Sequence, residues 1–266
     1  MAAWEHGQTT TALSSRDIEF DLDAAYAVEA ELARMRTVDG HATVGLKVGY
    51  ANKAIWRALK LETLVWAHMY DDTVRFVGPP EGSPLNTALS LANMCAPKIE
   101  PEIVFAMKAP LAPGLSDPIA ILQSVESLAL GFEIIDCPFP DWKFQPADFV
   151  AAFGLHRALL VGEPRRVDEA HVESLAEQLP RFTVRLTRDG QLVDEGSGRN
   201  SLRSPALCLG ELASALSRRA GVEPLGPGDL VSSGTLTESQ PIAAGQTWTA
   251  TLDGLDLPPL TVHTTP

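Results

Sequence analysis

Cysteine is scarce in this chain. The three in 266 residues, Cys95, Cys137 and Cys208, lie far apart and form no Cys-x-x-Cys pair. That argues against a disulfide framework and fits a reducing compartment. Basic charge is also short: 21 Lys and Arg stand against 34 Asp and Glu, a net charge of −13. Binding to nucleic acid or an anionic membrane surface needs a basic patch, so both partner classes are set aside. No apolar run approaches the roughly 20 residues of a membrane span. The opening "MAAWEHGQTTTALSS" lacks the basic and apolar regions of a signal peptide, so a cytoplasmic protein is expected. The six histidines (His6, His41, His68, His156, His171 and His263) show no His-x-His or His-Glu-x-x-His spacing, and none is assigned to a metal. Phosphate-loop and dinucleotide fingerprints are absent, and Ser197 in "EGSGRN" is not in a Gly-x-Ser-x-Gly elbow.

What remains is a globular composition, 45% hydrophobic and 21% charged. Residues 1–15 are polar and aperiodic, and are expected to be flexible. Residues 21–36 carry Ala25, Val28, Leu32 and Met35 at helical spacing, acids early and arginines late. In 41–56, Val44, Leu46 and Val48 alternate with Gly45, Lys47 and Gly49, as in a strand with close backbone neighbours. Short strands are read at 62–70 and 73–77, then a Pro/Gly-rich loop at 78–84 and strands at 85–95 and 98–107. The spacing predicts a helix over 116–130, capped by Ser116 with Pro118 in its first turn. A strand at 131–139, a short helix from Gln145 and a strand from His156 follow. Asp189-Gly190 marks a hairpin within 181–198. An amphipathic helix covers 204–221, and the last strands lie in 228–236 and 246–264. Strands outnumber helices and do not alternate with them, so an α+β fold on a rolled or barrel-like mixed sheet is expected, as one domain over 16–266. A helix-and-strand subregion would reach about residue 80, with a β-roll core from about 85.

The segment "APKIEPEIVFAMKAP" places Glu100 and Glu102 two apart in a strand. They share a face, with α-carbons roughly 6.6–7 Å apart. Pro101 donates no ladder bond, which reads as a strand start or edge. Two carboxylates facing one dry space repel, so one takes a proton or a cation lies between them. Oxygen ligands suit Mg²⁺ or Mn²⁺. Glu133, an acid inside the apolar run "LGFEIIDC", needs a partner and is a third ligand candidate. The same residues also read as a solvated strand edge and an arginine-paired strand acid.

"KIEPEIVFAMKAPL" followed by "GFEIIDCPFPDWK" resembles the fumarylacetoacetate hydrolase superfamily, in its 2-hydroxypentadienoate hydratase and 4-oxalocrotonate decarboxylase branch. "AAYAVEAELARMRTVDGHATVGLKVGYANKA", "YDDTV" and "GPGDLVSSGTLTESQPIAAGQTWTATLDGL" agree in order, over roughly residues 16–262. The resemblance implies a mixed β roll with flanking helices. It implies a divalent cation, Mg²⁺ or Mn²⁺, on Glu100, Glu102 and Glu133. It implies acid–base work for Lys47, a catalytic part for Asp71 or Asp72, and a carboxylate-holding turn at Ser233, Gly234 and Thr235. On spacing alone Lys47 reads as a surface strand residue, Asp71-Asp72 as a turn, and residues 232–235 as a loop. The implied activity is a hydratase of a 2-hydroxy-2,4-dienoate or related 2-oxo acid, in aromatic catabolism, through a metal-stabilised enolate. Alternatives are a decarboxylase of the 4-oxalocrotonate type, an acylpyruvate C–C hydrolase, and an inactive partner subunit of a related hydratase or decarboxylase. A homo-oligomer is also implied. The chain departs from the branch at Asp136-Cys137-Pro138 and at "ADFVAAF", where Phe149 takes an Asn position. A polar substrate-side wall has become apolar, which fits an altered or bulkier substrate.

Overall fold

The computed structural model describes residues 2–77 and 87–266; the loop read at 78–84 lies outside them. Among the described residues the strands are β1 (Thr43–Gly49), β2 (Val65–Tyr70), β3 (Val74–Phe76), β4 (Thr87–Ser90), β5 (Pro97–Met107), β6 (Val125–Asp136) and β7 (His156–Val161). They continue as β8 (Arg165–Arg166), β9 (Thr183–Arg188), β10 (Gln191–Ser197), β11 (Leu230–Ser232), β12 (Gln240–Pro241), β13 (Thr247–Asp253) and β14 (Leu260–Thr265).

Two sheets result. The larger runs β2-β1-β11-β5-β6-β7-β3, with β12 beside β5 and β8 beside β6; the smaller runs β10-β9-β13-β14-β4. In the larger sheet β1–β11 and β3–β7 are parallel and the other pairs antiparallel, so it is the mixed sheet of an α+β roll. Its spine is the long β5–β6 pair, in register from Pro97 opposite Asp136 to Ala106 opposite Ser127, with a one-residue shift that sets Met107 opposite Val125. One apolar cluster joins the sheets to the helices Leu22–Val38 and Pro205–Ser217.

Local chemistry accounts for several elements. Asp21 caps the first long helix by accepting from the Ala24 amide. Its buried stripe is Ala25, Tyr26, Glu29, Leu32 and Arg36, rotated from the expected one; Met35 is on the exposed side. Glu29 and Arg36 tolerate burial because His68 and Asp72 partner them. Asp189 and Gly190 both have positive φ, which a two-residue hairpin of type I′ requires, and β9 and β10 close there.

The structure corrects other expectations. The helix read over 116–130 is only Pro118–Leu122, capped by Asp117 rather than Ser116. From Val125 the chain is β6. A continuous apolar run satisfies helical spacing and a strand buried on both faces equally well, and pairing with β5 decides for the strand. Residues 53–59, the first four of which closed the segment read as a strand over 41–56, form a helix capped by Asn52. Val172–Gln178 is a further helix. Pro101 lies mid-strand, neither at a start nor at an edge. Its carbonyl accepts from the Leu236 amide, so its missing N–H faces a loop between β11 and β12 instead of the β6 ladder. The segment expected to be flexible includes the helix Ala2–His6. Trp4 there donates to the His156 carbonyl and packs on Phe153.

Candidate active site

β5 and β6 bring the acids together. The register sets Glu100 opposite Glu133 and Glu102 opposite Gly131. Carboxylate oxygens of the three acids lie within 4.8 Å of one another. Glu102 and Glu133 are 0% exposed, and Glu100 is half-buried. The next pair on this face, Val104 and Ala129, is apolar, which closes the cluster on one side.

Each acid is held differently. Glu102 Oε2 accepts from the Ser232 hydroxyl at 2.6 Å and the Gly234 amide at 2.9 Å, while its Oε1 is buried with no partner. Gly234 has φ +91, and a Cβ there would meet Ala51 at 2.8 Å, so glycine is needed for this amide to point at Glu102. Glu133 Oε1 lies 2.9 Å from His156 Nδ1, and His156 Nε2 lies 2.9 Å from Thr73 Oγ1. Glu133 Oε2 faces Lys47 Nζ at 3.1 Å. Lys47 enters from β1, is 2% exposed, donates to the Gly154 carbonyl at 3.0 Å and lies over the Phe149 ring.

The electrostatics follow from burial and neighbours. Burial, opposed by Lys47 and reinforced by Glu133, pushes the Glu100 carboxyl up to about 7. Burial and the two neighbouring acids push Glu102 well above the usual range. Glu133 is also penalised by burial, yet Lys47 and His156 hold it below the usual range. Burial disfavours the Lys47 ammonium, but the acids, Glu133 first, outweigh it and raise its pKa. The site thus has more buried acid than cation, and two buried carboxylate oxygens, Glu102 Oε1 and Glu133 Oε2, have no hydrogen-bond partner, the second facing only Lys47. Three oxygen-ligand side chains with that deficit fit a hard divalent cation.

Lys47, Glu100, Glu102, Gly234 and Thr235 line a cavity of about 440 Å³. Its remaining wall includes Tyr50, Ile55, Trp142, Phe144, Phe149 and Leu155. Phe149 is therefore on the wall, where the sequence comparison expected lost polarity.

Some candidates fall elsewhere. Ser233 is buried away from the cavity, its hydroxyl donating to the Ile103 carbonyl. Asp71 and Asp72 cluster with His41, and Asp72 pairs with Arg36. Lys47 lies opposite Ala67 on β2, so Asp71, four residues on, is ~13 Å along the strand. His156 and Thr73 escaped the sequence reading, as did Ser232. The one sequence signal for His156 was a polar residue heading an apolar strand, the same signal that singled out Glu133. With both ring nitrogens engaged, His156 is not placed to activate a water, as a C–C hydrolase would need.

No protein-family model matches the chain. A 2-hydroxypent-2,4-dienoate hydratase of Pseudomonas putida is 28% identical over 214 residues, covering 79% of this chain and 88% of that protein. A 4-oxalocrotonate decarboxylase of Pseudomonas sp. strain CF600 is 28% identical over 232 residues, covering 87% and 81%. The solved 4-oxalocrotonate decarboxylase from Pseudomonas putida G7, complexed with magnesium and adipate, matches with a TM-score of 0.86 at 23% identity. The match covers 99% of this chain and 93% of that one. A fumarylacetoacetate hydrolase family protein of yeast matches with a TM-score of 0.55 at 14% identity, covering 83% and 91%. The fold is that of the fumarylacetoacetate hydrolase family structures, and the sequence is similar to 2-hydroxypentadienoate hydratases and 4-oxalocrotonate decarboxylases.

Proposed function

We propose that the chain is a divalent-metal-dependent lyase that hydrates a 2-hydroxy-2,4-dienoate or related 2-oxo acid. The observation that carries this is the buried acid triad, with the unpartnered Glu102 Oε1, beside Lys47 on a cavity wall. Glu100, Glu102 and Glu133 would hold the cation, Mg²⁺ or Mn²⁺. When bound, it supplies Lewis-acid polarisation of the 2-oxo acid.

The chain's own groups do the rest. Lys47 Nζ carries a proton at the cavity wall, kept charged by Glu133 and aimed by the Gly154 carbonyl. Hydration needs a proton delivered to C5 and water added at C4, and Lys47 is placed for proton transfer. The turn at Gly234 and Thr235 forms the wall beside Glu102 and would receive the substrate's carboxylate end. The wall around Phe149 and Leu155 excludes bulk water from Lys47. Asp71, Asp72 and Ser233 have no place in the cavity. A cytoplasmic homo-oligomer working in aromatic catabolism completes this reading.

Decarboxylation is the second reading, favoured by the decarboxylase relative and the decarboxylase fold match. Protein stripped with EDTA and reloaded with Mg²⁺ or Mn²⁺ should convert a 2-hydroxy-2,4-dienoate to a 4-hydroxy-2-oxo acid, read by NMR. Carbon dioxide release from a 2-oxo diacid, with no water uptake at C4 by any dienoate, would transfer the assignment to the second reading. No cation-dependent turnover of either would overturn both.

A further inference from the structure

The wall of the cavity has a chemistry that the proposed reaction does not require. The 2-oxo acid head needs the acid triad, Lys47 and the Gly234 turn. The rest of the lining holds Tyr50, Ile55, Trp142, Phe144, Phe149 and Leu155 together with the polar Asn52, Asn200, Thr237, Glu238 and Ser239, and carbon surface still makes up most of its extent. Four of these are aromatic and contact one another: Tyr50 with Phe149, Phe149 with Phe144, and Phe144 with Trp142. The cavity volume, about 440 Å³, falls within the range of drug-sized sites and exceeds what a five-carbon acid fills.

Charge gives the same answer. The charged lining residues are Lys47, Glu100, Glu102 and the exposed Glu238. Lys47 is already engaged by Glu133 and Gly154. Among the described residues no arginine lines the cavity. Lys53, Lys98 and Lys143 adjoin lining residues in sequence but lie outside the lining: Lys53 faces Glu211, Lys143 faces Asp141, and Lys98 has its ammonium over the Trp142 ring at 3.9 Å. Its charge acts on Glu100. A second carboxylate at the far end of a substrate would enter carbon surface or face Glu238, with no cation but Lys47 among the described lining residues to meet it.

We infer that the substrate carries an uncharged, bulky apolar tail, aryl or branched alkyl, and that the cavity discriminates against a second carboxylate. The inference rests on the 2-oxo acid reading above and names the tail that reading leaves open. Trp142, Phe144 and Phe149 are the residues that set this specificity.

The test is binding of unreactive saturated 2-oxo acids to the Mg²⁺-loaded protein by calorimetry. The probes are 2-oxopentanoate, 2-oxo-5-phenylpentanoate and 2-oxoadipate. The phenyl tail should bind at least tenfold tighter than 2-oxopentanoate, since even a single methylene in an apolar pocket is worth roughly 10–200-fold. The second carboxylate should bind at least tenfold weaker than 2-oxopentanoate. Trp142→Ala should erase most of the phenyl preference, lowering affinity for 2-oxo-5-phenylpentanoate by a much larger factor than affinity for 2-oxopentanoate. Equal or tighter binding of 2-oxoadipate would overturn the tail inference and leave the 2-oxo acid reading standing. If that binding then fell with Lys98→Met, Lys98 would be the carboxylate receiver that this inference denies. Failure of all three probes to bind with the cation would overturn the 2-oxo acid reading and the tail inference together.

Discussion

Replacing Glu102 with Gln separates a metal-ligand role from a structural one, because the two predict opposite stability changes. In the folded protein Glu102 Oε2 is satisfied by Ser232 and Gly234, and Oε1 is not satisfied at all. Burial and the neighbouring acids push its carboxyl well above the usual carboxylate range. A Gln keeps the shape, accepts the same two hydrogen bonds and donates its amide toward Glu100 and Glu133. The metal-free variant should therefore melt at the wild-type temperature or slightly above it. With a cation at a hundred times its Kd, the wild type gains about 2.7 kcal/mol by mass action. At roughly 2–4 °C per kcal/mol for a chain near this size, that is a rise of ~5–11 °C. A hundredfold loss of affinity at the same cation concentration leaves about 0.4 kcal/mol, or ~1 °C. Differential scanning calorimetry in EDTA and then in Mg²⁺ reads both quantities, and turnover should vanish alongside. A variant that kept the full cation-dependent rise would remove Glu102 from the ligand set. A metal-free melting point lowered by many degrees would instead make the residue a structural partner.

Other consequences concern its neighbours. The Glu100 carboxyl has its folded value raised from the ordinary 4.5 to about 7, so folding takes up a proton between those values. Metal-free stability should then fall as pH rises from about 4.5 to about 7, and cation affinity should rise across the same window. Denaturant titrations in EDTA, paired with cation titrations at each pH, check both; metal-free stability that climbs through this window would refute the assignment. His156→Gln, which cuts the link from Thr73 to Glu133, should weaken cation binding by roughly 10–100-fold while Lys47 remains in place. Gly154→Ala should cost about 1–3 kcal/mol and lower kcat. Gly154 has φ +61, and the new methyl would meet Lys47 Cδ at 2.7 Å. A variant with unchanged melting temperature and kcat would show that Lys47 does not depend on this wall.

The legible parts of the molecule were those written in local periodicity. Alternation alone put Glu100 and Glu102 on one face, and Asp189-Gly190 alone fixed the β9–β10 turn. Glu133 was visible as an acid that an apolar strand could not carry unpaired. Where local pattern was ambiguous, the reading failed. The apolar run through 125–136 satisfied a helix as well as a doubly buried strand, and Pro101 suggested an edge when a loop crossing had removed the need for its N–H.

By itself the sequence determined the resemblance, the mixed roll and the acid types, because these depend on residue identity and short spacing. The tertiary structure alone decided which residues meet. It set Glu133 opposite Glu100, brought Lys47 and His156 to Glu133 from other strands, and sent Asp71, Asp72 and Ser233 elsewhere. Register and strand adjacency are long-range choices made by packing the whole core, and no window of a few residues contains them.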